Sequence, residues 1–220
     1  MKILSILKEG ASLGLRNSLS IIGAYLLYIL TIWVPYINVG TTIAIVSLPV
    51  SISKGRVISP LEIFYSKYRK NMGTFFLLLF FMFFGYIFSI LFLVIPFIIL
   101  SLSWSQAIFL LVDKGINPMQ ALNESNKITY NYKIKIFLIQ LILSLAYFLI
   151  YFIINLVFGS ENYDLINMLQ YGYPIEMIIS AAFSTTSLIG SILTFLLSII
   201  YYVIEFGTKA SIYKFLNEKN

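Results

Sequence analysis

Five polar residues recur along the last apolar run of the chain: Ser187, Ser191, Thr194, Ser198 and Glu205. Steps of four, three, four and seven put them on one face of a helix, with Gly190 and Tyr201 beside it. Two kinds of chemistry fit. Hydroxyls and small residues let helices approach closely, which makes a packing seam. The same hydroxyls could instead line a wet cavity through which a small solute or lipid passes. Glu205 is the single acid near the interior of an apolar run, and Lys209 follows four residues later. That is the favoured orientation for a helical ion pair. A boundary salt bridge is one role for it; a proton or cation site is the other, because membrane-buried acids often mark pathways.

Two amides form a second constellation. Gln106 stands seven residues before Asp113, and Gln140 five after Lys135. At a rise of about 1.5 Å per residue, both lie roughly 7–11 Å inside the charged boundary. Equal depth on neighbouring helices allows an amide–amide bond, or a contact with a solute. Catalysis is opposed by the residue types themselves. The chain has no histidine and no cysteine, hence no Ser-His or Cys-His pair, no zinc-protease motif and no soft metal site. Its two aspartates, Asp113 and Asp164, are far apart in sequence. Glu161 and Asp164 read as part of a solvated loop. No catalytic residue, cofactor or metal is expected.

The elements that must position these residues are membrane helices. Charged residues make up 11% of the 220 residues, against about 25% in a soluble domain. Four runs carry no charge: 17–53, 71–112, 136–160 and 177–204. A crossing needs about 20 apolar residues, so the two longer runs each fit two spans and the two shorter ones each fit one. The fold class expected is all-α: a polytopic integral membrane bundle of six transmembrane helices in a single domain, 1–220. The N-terminal MKILSILKEG does not read as a signal peptide, because Lys8 and Glu9 interrupt it before any export-length apolar core.

Charge sets the orientation. In the six-span layout all 15 basic residues fall on one side, and the loop 159–176 on the other carries Glu161, Asp164 and Glu176. Cations stay in the cytoplasm, which places both termini inside, in a bacterial inner membrane. Arg56, Lys67, Arg69, Lys70, Lys127, Lys133 and Lys135 are then candidate contacts for anionic lipid headgroups on the cytoplasmic side. Nucleic acid is not an expected partner; another membrane protein or a second copy of the chain is.

Helix-start signals suggest an internal repeat. Ser59-Pro60-Leu61-Glu62 is a capping box with proline at the first helical position, and Asn117-Pro118-Met119-Gln120 repeats it with amides. Counting the same 58-residue interval back from Ser59 reaches Met1. Three units follow, 1–58, 59–116 and 117–207, with a tail, 208–220. Each is an interfacial amphipathic helix followed by a helical hairpin, in parallel orientation. Three independent hairpins of similar hydropathy are the alternative. The expected apolar stripes are Ile3, Leu4, Leu7, Ala11 and Leu15; Leu61, Phe64, Tyr65 and Tyr68; and Ala121, Leu122, Ser125, Ile128 and Tyr132. Hairpin turns are expected at Val34-Pro35 and Ile95-Pro96.

The segment Asp113, Gly115, Pro118, Ala121, Leu122, Ser125 and Thr129 resembles a pattern in a broad group of poorly characterised bacterial polytopic membrane proteins. That group includes the membrane domain fused to some glycerophosphodiester phosphodiesterases. The resemblance covers the six-span layout and this one motif. It implies that the Ala-Leu-x-x-Ser helix lies on the cytoplasmic face between spans four and five, and it implies no activity. Two functions remain open from the sequence. One is a non-enzymatic accessory, scaffold or lipid-interacting bundle, favoured by the shortage of membrane charges. The other is a transporter or channel with a cleft lined by the 187–205 hydroxyl face.

Overall fold

A computed structural model of the chain describes residues 1–70, 72–158, 167–182 and 185–219, without the side chains of 179–182 and 185–187. Glu161, Asp164 and the side chain of Ser187 therefore lie outside the described residues. All regular structure among the described residues is helical, so the fold is all-α. The order is α1 (Ile3–Arg16), α2 (Ser18–Thr31), α3 (Ile37–Ser53), a 3-10 turn (Pro60–Phe64), α4 (Ser66–Lys70), α5 (Met72–Leu91), α6 (Val94–Ser103), α7 (Ala107–Lys114) and α8 (Pro118–Thr129). A second 3-10 turn (Tyr130–Tyr132), α9 (Lys133–Phe158), α10 (Ile175–Ala182) and α11 (Thr185–Glu218) complete it. The chain divides into two compact units. The larger is Met1–Ile139 with Val203–Asn220; the smaller is Gln140–Tyr202.

Helix α3 is the centre of the larger unit: twelve of its seventeen residues are buried. Its small face Gly40, Ala44, Ser47 and Ser51 is wholly buried. Buried hydroxyls need a partner, and Thr41, Ser47 and Ser53 bond carbonyls of their own helix. Between α1 and α2 the chain bends by 63° at Asn17. The Asn17 amide nitrogen donates to Leu13 O (2.9 Å), closing α1, and its oxygen accepts from Ile58 N (3.0 Å). Helix α1 meets the inner end of α11 through glycines. A Cβ on Gly207 would overlap the backbones of Gly10 and Gly14, so the two helices touch main chain to main chain.

Four helical stretches are long and apolar enough to cross a membrane: Met72–Leu91, Val94–Lys114, Pro118–Phe158 and Leu188–Glu218. The bent pair α1–α2 makes a fifth if it is one span. Phe76, Phe80, Phe83 and Phe88 on α5 and Phe148, Phe152 and Ile153 on α9 are exposed, which fits a hydrocarbon solvent rather than water.

Several expectations are corrected. The apolar stripe of α1 is not its buried face: Leu4 and Leu15 are exposed, while Ile6, Gly10 and Gly14 are buried. The Ser59 capping box forms, with both reciprocal bonds. It opens a five-residue 3-10 turn rather than an amphipathic α-helix, so Leu61 and Tyr65 are exposed and Glu62, Ile63 and Tyr68 are buried. The second hairpin turn falls at Phe92–Leu93, where Leu93 has a φ of 102°; Pro96 sits in the first turn of α6. Asn117 and Pro118 start α8 as expected, the Asn117 oxygen accepting from Gln120 N (2.8 Å). Its buried face is Ala121, Leu122, Ser125, Ile128 and Thr129.

Candidate functional site

The polar residues of the larger unit gather where its helices break. Between α6 and α7 the helix is interrupted at Trp104–Gln106. Backbone groups freed inside an apolar fold must find partners. Helix α8 supplies them. Ser125 Oγ donates to Ser103 O (2.6 Å) and accepts from Gln106 N (3.2 Å). Thr129 Oγ1 donates to Ser125 O (2.7 Å) and also reaches Ser103 O at 3.3 Å. Ala121 and Leu122 pack into a cluster with Leu78, Ala107 and Leu111. Trp104 fills the break from the α5 side, where a Cβ on Gly85 would overlap its ring. Gly115 ends α7 with a φ of 64°, the left-handed cap that lets Asn117-Pro118 start α8. The polar segment 113–129 is thus a brace for a broken helix.

Asp113 opens that segment and ties three parts together. It accepts from Lys54 Nζ (2.8 Å) and from the Tyr213 hydroxyl (2.8 Å). Four other acids each hold a separate cation: Glu9 with Lys214 (2.9 Å), Glu62 with Arg56 (3.1 Å), Glu124 with Lys114 (3.0 Å) and Glu205 with Lys209 (2.7 Å). Glu9 also accepts from Ser211 Oγ (2.9 Å), fixing α1 to α11 below the glycine contact. Pairs this exposed contribute about 0–1 kcal/mol each. The Glu62 side chain is the exception at 4% exposure; its burial is matched by Arg56 and by the Ser59 backbone.

The other cations form no ion pair with a described acid. Lys67 Nζ lies over the Tyr68 ring (4.7 Å), and Arg69 donates to Phe64 O (2.9 Å). Lys133 Nζ bonds Asn126 Oδ1 (3.1 Å) and faces Tyr130. Lys135 faces Tyr132, and Lys219 faces Phe215. Of the seven candidate lipid contacts, Arg56 is therefore already engaged with Glu62. Lys67, Arg69, Lys70, Lys127, Lys133 and Lys135 hold no acid.

The hydroxyl face of α11 is not one environment. Ser191 is exposed, and Thr194 and Ser198 are half-buried. Ser198 Oγ donates to Thr194 O (2.9 Å) and shares a bond with the Tyr147 hydroxyl (3.2 Å). Close packing falls on the adjacent Gly190, where a Cβ would stand 2.7 Å from Phe158 Cβ. Glu205 pairs with Lys209 as its spacing suggested. Gln106 and Gln140, the expected amide pair, belong to different units. The Gln106 amide nitrogen donates to Ser105 Oγ (3.1 Å) and its oxygen, buried, has no partner among the described residues; Gln140 is exposed. Asn17, Gly10, Gly14 and Tyr213 were missed. The Gly10-x-x-x-Gly14 spacing was readable as a close-approach signal; Tyr213 had none.

Compared with protein-family models, curated proteins and solved structures, the chain matches none of them.

Proposed function

We propose that the chain is a non-enzymatic, multi-pass protein of the bacterial cytoplasmic membrane that holds anionic lipid along its inner rim and serves as an accessory or scaffold bundle. One observation carries this reading: the cations sort into two sets. Five have acids of their own, while those on α4, at the α8–α9 corner and at the end of α11 have none. Each unpaired cation near an anionic surface contributes about 1 kcal/mol of attraction. On this reading both termini are inside and the chain crosses six times. Helices α2 and α3, with 14 and 17 residues, are about 21 and 26 Å long, short of a hydrocarbon core of about 30 Å. They cross where the bilayer thins. The resemblance of 113–129 to the six-span group supports the same layout.

Native mass spectrometry of the detergent-purified protein tests the reading. Phosphatidylglycerol or cardiolipin should be retained over phosphatidylcholine, and less so after Lys67→Gln/Arg69→Gln/Lys70→Gln. Equal retention of anionic and neutral lipid by the wild type would reject it. Topology has its own check: an impermeant maleimide applied outside should label Asn162→Cys and leave Ser66→Cys and Asn126→Cys unlabelled. A second reading, transport of a small polar solute, is favoured by the unpartnered Gln106 oxygen beside the break in α6–α7, because broken helices often carry transporter sites. Solute flux into liposomes that disappears with Gln106→Met would select it.

A further inference from the structure

We infer that Lys135 and Lys219, set on the Tyr132–Phe215 ring pair, form a discrete docking site for the phosphate of an anionic phospholipid. The inference rests on the lipid reading of the rim and narrows it to one place. The two rings meet edge to face, with centroids 5.4 Å apart. Lys135 Nζ lies 5.9 Å from the Tyr132 centroid and Lys219 Nζ 5.4 Å from that of Phe215. Each ammonium is thus steadied by a ring face. The rings themselves are anchored, because both pack on the buried cluster of Ile136, Ile139, Ile212 and Leu216. Two lysines from segments far apart in sequence therefore flank one ring pair. Neither pairs with a described acid; Glu218, the neighbour of Lys219, is exposed.

The surface next to the site selects a lipid over free phosphate or an acidic protein. Ile134 is 75% exposed, and Phe137 and Leu138 behind it on α9 are 40% and 36% exposed. A ligand whose phosphate meets the lysines finds an apolar helix face running away from it, and acyl chains fit that face. The α4 cations differ. Arg69 is committed to Phe64 O, and the two rings under Lys67 belong to its own short segment, whereas the Tyr132–Phe215 pair joins two distant ones.

The test is a titration of the full-length protein with phosphatidylglycerol, followed by native mass spectrometry. Lys135→Gln/Lys219→Gln should bind about 30-fold more weakly, the loss expected for two surface cations. Lys135→Arg/Lys219→Arg should restore binding, and Lys67→Gln/Arg69→Gln/Lys70→Gln should keep the site. Thermal unfolding of each variant checks the fold. If the Gln pair does not fold, the folded Arg pair and wild type must lose phosphatidylglycerol steeply with added salt; salt-independent binding overturns the site. Unchanged affinity in the Gln pair overturns it too, and leaves the wider rim reading standing if the α4 variant is the one that loses lipid. Equal binding of phosphatidylcholine removes both. Displacement of the lipid by excess inorganic phosphate would assign the site to free phosphate and overturn the lipid assignment.

Discussion

The two units solve different problems with different residues. In the larger unit the helices are interrupted at Asn17, at 54–59, at 104–106 and at 115–117, and polar side chains answer for the backbone at each place. Asn17 serves Leu13 and Ile58; Glu62 serves Ser59; Ser125 serves Ser103 and Gln106; Asn117 serves Gln120. In the smaller unit, Gln140–Phe158 of α9 and Thr185–Tyr202 of α11 run unbroken. There the tie is the Tyr147–Ser198 bond, the Tyr147–Tyr201 ring contact at 4.6 Å and the approach of Gly190 to Phe158. An unbroken helix satisfies its own backbone, so it needs only shape to pack. In the larger unit, polar residues mark the breaks in helices.

Breaking the main-chain contact of the larger unit gives the largest expected effect. Gly207→Leu puts a branched side chain where the backbones of Gly10 and Gly14 already touch α11. Nothing at a backbone atom can swing aside, so the cost is about 3 kcal/mol, the upper end of overpacking. Gly190→Leu meets a single close atom, Phe158 Cβ at 2.7 Å, which ring rotation does not move, against three backbone atoms at Gly207, and should cost less. Chemical or thermal unfolding in detergent with the two variants side by side checks the difference; equal losses would mean that the two crossings are alike.

Ser125→Ala comes next. It leaves Gln106 N without its partner and weakens the cover of Ser103 O, both buried, for about 2 kcal/mol. The same change at Ser198 removes a half-exposed bond whose Tyr147 partner can turn to another acceptor, for about 0.5 kcal/mol. Unfolding curves should separate the two by more than a kcal/mol. Thr129→Val added to Ser125→Ala should cost more than the sum of the singles, because Thr129 is the remaining donor to Ser103 O.

How much of this was legible follows the same division. The start of α8 and its buried Ala121, Leu122, Ser125 and Ile128 could be read, because its cap, its proline and its 3.6-residue periodicity are local signals, while Tyr132 of the expected stripe falls in the 3-10 turn beyond it. The α1 face could not be read from apolar periodicity. Where lipid is as good a solvent as a core, leucines such as Leu4 and Leu15 gain nothing by turning inward, and small residues mark the contact instead. The 59–70 stretch failed for another reason. A 3-10 turn has about three residues per turn, so an α-helical stripe drawn through Leu61, Phe64, Tyr65 and Tyr68 drifts off the buried face. The brace on the α6–α7 break was invisible, because nothing in Trp104-Ser105-Gln106 announces a break. Its partner motif could be seen, but not its task.

Gln106→Met has a smaller effect with an informative sign. The side chain keeps its volume, loses one bond to Ser105 and removes a buried oxygen with no partner. Removing an unsatisfied buried acceptor outweighs a neutral hydrogen bond, so stability should rise by about 1 kcal/mol. A fall instead would place a donor, water or solute, on that oxygen.

The smallest effect belongs to Glu205, the residue with the most chemical promise in the sequence. Its carboxylate sits 2.7 Å from Lys209 Nζ, with side chains 25% and 39% exposed. A pair this open is screened and contributes about 0.5 kcal/mol, so Glu205→Gln should lower stability by no more than that. The same geometry argues against a proton path. Proton coupling needs a group that changes charge within the membrane and a relay to both sides. Along α11 from Glu205 toward its N-terminus, the described polar side chains offer hydroxyls alone: Tyr202, Tyr201, Ser198, Thr194 and Ser191. Phenols and alcohols do not exchange charge near neutral pH. In liposomes loaded with a pH dye and polarised by an ion gradient, wild type and Glu205→Gln should leak protons equally slowly. Flux that depends on Glu205 would make the Glu205–Lys209 pair, rather than the brace on the α6–α7 break, the working part of the larger unit.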